Sequence, residues 1–126
     1  MKKIIETSNA PAPIGPYSQA VLYNDTLYTS GQIAIDPATG NLVSGDITEE
    51  TKQVMKNIGA VLEEAGMSYE DVLKTTIFLK DMNDFQKINS VYGSFFNEAT
   101  APARETVEVA RLPKDVNVEI SVIARK

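Results

Sequence analysis

Two residues near the end of the chain, Arg104 and Glu119, have the side chains that a reaction on a small carboxylic acid would need. The planar guanidinium of an arginine can hold a carboxylate through two parallel hydrogen bonds, and a glutamate can take a proton from a water molecule. They lie in TAPARETVEVARLPKDVNVEI, Thr100 to Ile120, and Arg104 is one of only three arginines in the sequence. From residue pattern alone two readings are open. The pair is either surface charge on a solvated strand face, worth roughly 0 to 1 kcal/mol, or an anion-binding and proton-transfer site.

The missing residue types narrow the chemistry further. The 126-residue chain has no histidine, cysteine or tryptophan. Ser-His-Asp triads, Cys-His nucleophiles and zinc sites built on histidine or cysteine are therefore excluded. Catalysis is left to carboxylates, lysine, tyrosine, hydroxyls, arginine and backbone groups, with water as nucleophile. Neither a P-loop nor a GxGxxG turn occurs. The formal charge of −5, from 17 acidic and 12 basic residues, argues against an electrostatic hold on nucleic acid or on an anionic membrane. Glu6 interrupts the apolar run after Ile4 and Ile5, so MKKIIETSNA is not read as a signal peptide, and no stretch has the ~20 apolar residues of a membrane helix. A cytoplasmic location is expected.

The elements that must position the pair are read from turn residues and periodicity. The length fits a single domain spanning residues 1–126. After a short apolar start, SNAPAPIGPYSQ sets a fixed loop through Pro11, Pro13, Gly15 and Pro16. AVLY and TLYTSGQIAI, joined at Asn24-Asp25, read as a hairpin, and DPATGN, Asp36 to Asn41, as a second turn. Val54, Met55, Ile58, Val61, Leu62 and Ala65 recur at helical spacing over about Thr48 to Ala65, with Gly66 as the stop. Ser68 caps a turn through Asp71, and VLKTTIFLKD follows as a strand. Asn83 or Asp84 opens a second helix, whose stripe of Phe85, Ile88, Tyr92, Phe95 and Phe96 reads as core packing.

The last third reads as a hairpin of two neighbouring strands, Ala103 to Ala110 and Val116 to Ala124, connected through Leu112 to Asp115. That register sets Arg111 against Val116, Glu108 against Glu119 and Thr106 against Ser121. Arg104, Thr106, Glu108, Asn117, Glu119 and Ser121 would then share one polar face. By strand parity Glu105 points away from Arg104 and Thr106 points with it. The element order implies an α+β layer of helices on one face of a mixed sheet.

Three stretches in this order, IGPYSQA (Ile14 to Ala20), YTSGQI (Tyr28 to Ile33) and PARETVEVARLPKDVNVEI, closely resemble the Rid family of imine deaminases, also called the YjgF family. The resemblance spans nearly the whole chain, including NDF at Asn83 to Phe85. It implies a chorismate-mutase-like two-layer sandwich with two helices on one face of the sheet, assembled as a homotrimer with clefts between subunits. It implies hydrolysis of 2-imino acids, such as 2-aminoacrylate with its imine tautomer 2-iminopropanoate, and 2-iminobutanoate, to 2-oxo acids and ammonia. Pyridoxal-phosphate enzymes release these intermediates from serine and threonine, and the implied reaction needs neither metal nor organic cofactor.

Carried over by position, the resemblance makes Arg104 the holder of the substrate carboxylate and Glu119 the group beside the attacking water. Tyr17, Ser30, Gly31, Asn89 and Thr106 become pocket positions. Each also has a structural reading: packing after a turn for Tyr17, a backbone-bonded hydroxyl for Ser30, a solvated helix residue for Asn89, and close backbone approach for Gly31. Glu105 stands where many members have serine, and Thr106 where many have cysteine. Two other classes remain open at this point. One is a trimer that binds small acids without turnover, in a regulatory or chaperone-like role. The other is interaction with protein or RNA, where the acidic balance and the missing histidine count against RNA cleavage.

Overall fold

The computed structural model describes residues 1–126. Six strands form one mixed sheet: β1 (Lys2–Ile5), β2 (Ala20–Tyr23), β3 (Thr26–Thr29), β4 (Val72–Leu79), β5 (Ala103–Glu108) and β6 (Val118–Arg125). Two helices, α1 (Ile47–Glu64) and α2 (Phe85–Gly93), complete it. No helix is long and apolar enough to cross a membrane.

Local chemistry explains where the elements begin and end. Asn24 takes a left-handed φ of 53° at the turn between β2 and β3, a region that asparagine enters at lower cost than most residues. The Asp46 side chain accepts from the Thr48 N–H and opens α1, and Gly66, at φ 73°, ends the segment. The Ser68 and Asp71 side chains form a reciprocal cap on a short 3₁₀ turn before β4. Asp81 caps a second 3₁₀ turn, Met82–Asp84, that leads into α2. The second helix ends at Gly93, so Phe95 and Phe96 follow it and pack from a turn against Tyr69 and Tyr92.

The strand order is β1-β2-β3-β6-β4-β5. This corrects the expected C-terminal hairpin, because β4 lies between β5 and β6. It pairs with β5 in parallel and with β6 antiparallel. The physical reason is the crossover: β4, α2 and β5 form a strand-helix-strand unit, whose strands are laid down parallel and side by side. The chain then steps across β4 through Pro113–Asp115 to start β6.

Alternation along the strands sets two unlike faces. Leu27, Thr75, Ile77, Leu79, Val118, Ile120, Val122 and Ala124 are fully or almost fully buried on the face that both helices cover. From α1 the apolar stripe Val54, Met55, Ile58, Val61 and Leu62 meets them, and from α2 Ile88 and Tyr92. The opposite face has no layer over it within the chain. Ile4, Tyr28 and Val107 stand exposed there, in line with Phe78 and Ile123 through the strand registers.

Candidate active site

The strand order decides where Arg104 and Glu119 point. Both strands register on β4: Arg104 lies opposite Thr75, and Glu119 opposite Phe78. Positions 75 and 78 have opposite parity, so their partners point to opposite faces of the sheet. The expected shared polar face of Arg104, Thr106, Glu108, Asn117, Glu119 and Ser121 is thereby overturned within one chain. Arg104 and Thr106 are on the helix side with Thr75 and Ile77, whereas Glu119 and Ser121 are on the open side.

The Arg104 half is built by β5 and α2. The Arg104 guanidinium donates to the Asn89 side-chain oxygen and stands 5.5 Å from the ring centre of Phe85 and 5.2 Å from that of Tyr92, within cation-π range. Tyr92 is fixed in turn, its hydroxyl bonded to the Thr75 hydroxyl at 3.0 Å. No carboxylate pairs with Arg104, as the ion pairs of the chain are Lys52–Glu49, Lys74–Glu105 and Arg111–Asp115. A cavity of about 600 Å³ beside it is lined by Asn89, Tyr92, Gly93, Phe96 and Pro102, among others. Arg104 is thus an exposed, oriented cation with free donors on the edge strand of the sheet.

Parity holds for the two residues after Arg104. Glu105 points to the open face, where it pairs with Lys74 at 3.3 Å and accepts from the Thr76 hydroxyl at 2.7 Å. Those hydrogen bonds hold its carboxyl below the ordinary range. Thr106 points with Arg104, but its hydroxyl is buried and has no hydrogen-bond partner. The threonine therefore does not present its hydroxyl to solvent on the Arg104 side.

The Glu119 half is built by β6, the segment after β3 and the proline-rich loop. Glu119 is half-buried, and burial pushes its carboxyl above the ordinary glutamate value. Gly31 makes its position possible, since a Cβ there would lie 2.4 Å from Glu119 Oε2 and 2.6 Å from Cδ. Gln32 and Ile120 exchange backbone hydrogen bonds at 2.8 and 3.1 Å, tying the Ser30–Gln32 segment to the strand that carries Glu119. Tyr17, Ser30, Gly31 and Glu119 all line one cavity of about 540 Å³. The Ser30 hydroxyl donates to the Ser18 carbonyl, which spends its proton on the loop. The exposed Tyr17 hydroxyl accepts from the Ile14 N–H at 3.2 Å. Of the seven expected site residues, four therefore surround Glu119's cavity, while Arg104, Asn89 and Thr106 lie on the other side of the sheet.

Two positioning residues were not anticipated. Buried Gln19 fixes the proline-rich loop, accepting from Thr7 N–H at 2.7 Å and donating to the carbonyls of Thr7, Ala10 and Pro11. Its signal was its place inside the IGPYSQA stretch. Buried Glu50, in the first turn of α1, accepts from Asn117 N–H at 2.8 Å, Asn117 Nδ2 at 2.9 Å and Val118 N–H at 3.3 Å. It anchors the start of β6 just before Glu119. A glutamate two residues beyond a helix-capping turn looks in sequence like ordinary dipole compensation, so only the folded arrangement reveals this role.

Known proteins match the chain over nearly its whole length. The model of a family described as Endoribonuclease L-PSP matches residues 7–126. A 2-iminobutanoate/2-iminopropanoate deaminase of Salmonella typhimurium is 52% identical, the match covering 98% of each chain. A structure from Yersinia pestis of a conserved Rid family protein superposes with a TM-score of 0.97 at 52% identity, covering 100% of both chains. E. coli TdcF with bound serine superposes with a TM-score of 0.93 at 46% identity over 98% of both. Such agreement over nearly the full length means that this chain belongs to the Endoribonuclease L-PSP family, the group also called Rid or YjgF.

Proposed function

We propose that the chain hydrolyses small 2-imino acids, such as 2-iminopropanoate and 2-iminobutanoate, to 2-oxo acids and ammonia, in clefts between the copies of a homotrimer. The observation that carries this reading is the division of the site. A free, oriented arginine and a desolvated glutamate open into separate cavities on opposite faces of one sheet, so each chain holds two complementary halves. Arg104 sits on the edge strand, where a neighbouring copy can bring its Glu119 half against it. The uncovered sheet face, with Ile4, Tyr28 and Val107 exposed, supplies apolar surface for such an assembly. The deaminase named in the relative of half-identical sequence supports the substrate class.

In this reading the Arg104 fork takes the substrate carboxylate and fixes C2 of the imine in front of the neighbouring copy's Glu119. The glutamate accepts a proton from water as the water oxygen bonds to C2, then returns it to nitrogen. The carboxylate then takes the hydroxyl proton of this carbinolamine and passes it to the amine, so that the C–N bond breaks as the C2–O bond becomes a carbonyl, and ammonia leaves. An imine already reacts with water, so orientation and one proton relay suffice, without a covalent enzyme intermediate. The physiological setting would be removal of enamines and imines released by pyridoxal-phosphate enzymes acting on serine and threonine. RNA cleavage, the chemistry in the family's description, is less well supplied, for the chain lacks histidine and is net acidic.

The test is a threonine dehydratase reaction followed by absorbance of the imine intermediate. Intact protein is expected to hasten its loss and Arg104→Ala to abolish the effect. No acceleration by the intact protein would refute the reading.

A further inference from the structure

The cavity around Glu119 is larger than a four-carbon imino acid requires. At about 540 Å³ it falls in the range of sites that take much bigger ligands, and it adjoins a second cavity of about 740 Å³ that runs toward Glu6 and Pro37. The two share walls formed by Pro11, Ala12, Ile14, Gln19, Ile35 and Lys114. Lys114 is the one cationic residue lining either of them. No carboxylate, Glu6 and Glu119 included, comes within the 4.0 Å of an ion pair with its ammonium.

The backbone under Lys114 is held in a conformation that this residue type disfavours. Lys114 has φ 55° and ψ 22°, and Asp115 after it has φ 56°. Two successive left-handed residues, neither of them glycine, are strained by contact between Cβ and backbone. The strain is maintained from both sides. Arg111 pairs with Asp115 through two contacts, at 2.6 and 3.2 Å, and the Glu50 carboxylate grips Asn117 and Val118 just beyond. A glycine at 114 would relax the turn but would remove the ammonium from the cavity's rim.

We propose that Lys114 is a second anion site, which binds the distal carboxylate of a dicarboxylic 2-imino acid whose first carboxylate is held by the Arg104 of a neighbouring copy. This rests on the reading of the cleft given above and names a further substrate class for it. A substrate with an uncharged side chain leaves the ammonium facing water, whereas a dicarboxylic one is gripped at both ends. Pro11, Ile14 and Ile35 line the same cavity and offer apolar surface to the carbon chain between the two carboxylates. The two cations, Arg104 and Lys114, match the two charges of the ligand, leaving Glu119 to the water.

The experiment compares 2-iminoglutarate and 2-iminobutanoate, each generated in place by an amino-acid oxidase, with wild type, Lys114→Gly and Lys114→Arg. Lys114→Gly relieves the left-handed strain, so a melting temperature at or above wild type shows that it folds. The ratio of kcat/KM for 2-iminoglutarate to that for 2-iminobutanoate is expected to fall about tenfold in Lys114→Gly and to stay within about twofold of wild type in Lys114→Arg. An unchanged ratio in Lys114→Gly would overturn the proposal, as would a wild type active on 2-iminobutanoate and inert on 2-iminoglutarate. Calorimetry with the product 2-oxoglutarate separates this idea from the catalytic one. Binding that weakens about tenfold in Lys114→Gly, with no turnover of either imine, supports the anion site and refutes the deaminase. Binding insensitive to Lys114 overturns the site itself.

Discussion

At Glu119 two consequences of burial pull in different directions. Its carboxyl is held above the ordinary value by desolvation, so the proton-accepting form appears only as pH rises through that raised value, and turnover should climb with it. For stability the sign is the reverse. A carboxyl with a raised folded pKa contributes stability that is fully present below its unfolded pKa and lost as pH rises through the folded one. Glu119→Gln is therefore expected to lower kcat by about 100-fold. In the same protein it should raise stability at neutral pH, by less than about 1 kcal/mol because the group is only half-buried. Urea melts across pH check this, and the advantage should vanish at pH values below the ordinary carboxylate range. At Arg104 the fork matters as well as the charge. Arg104→Lys keeps a cation but cannot make two parallel bonds, so about tenfold or more of kcat/KM should still be lost, measurable in the coupled dehydratase assay. Alternation around this arginine was informative in sequence: it sends Glu105 away from Arg104 and Thr106 with it, as found. The inward turn of the Thr106 hydroxyl was not legible, since a rotamer depends on neighbours that only the fold supplies.

Among the elements, those with local signatures were legible and those defined by long-range pairing were not. The α1 stripe, the Gly66 stop, the Ser68 cap and the Asn24 turn each follow from residues within a few positions. The neighbour of β5 does not. Strict alternation tells which residues of a strand share a face, but it is equally satisfied whichever strand lies alongside. The order strand, helix, strand over residues 72–108 was the available signal for a parallel β4–β5 pair, and it separates β5 from β6. The same dependence on packing gives Gly31 its role. Gly31→Ala would place a Cβ 2.4 Å from Glu119 Oε2. Because that contact is to the end of a side chain, the glutamate swings aside and stability changes little. Turnover should drop about tenfold or more while the melting temperature moves by a few degrees at most, since positioning of the base is what is lost. Glu50→Ala should behave differently. It strands the Asn117 and Val118 N–H groups at the start of β6, and chemical denaturation should report a loss of about 2 to 5 kcal/mol.

For the whole molecule the decisive question is whether one chain suffices. Arg104 and Glu119 project from opposite faces of the same sheet, and no side-chain motion carries either through it. If the proposed homotrimer joins them, each cleft takes Arg104 from one copy and Glu119 from the next. Two impaired variants can then rescue each other. Arg104→Ala retains a competent Glu119 half, and Glu119→Gln retains a competent Arg104 half. Co-expressed in equal amounts, they form mixed trimers in which a cleft has both native residues when a Glu119→Gln chain supplies the arginine side and an Arg104→Ala chain the glutamate side. Random mixing makes that about one cleft in four, so activity near a quarter of wild type is expected from two parents that each keep about one per cent or less. Mixing the purified trimers without exchange of subunits should give no recovery, which controls for contamination. Absence of rescue in co-expressed trimers, with mixed composition verified by mass spectrometry of the intact assembly, would require a site complete within one chain and a different role for one of the two residues.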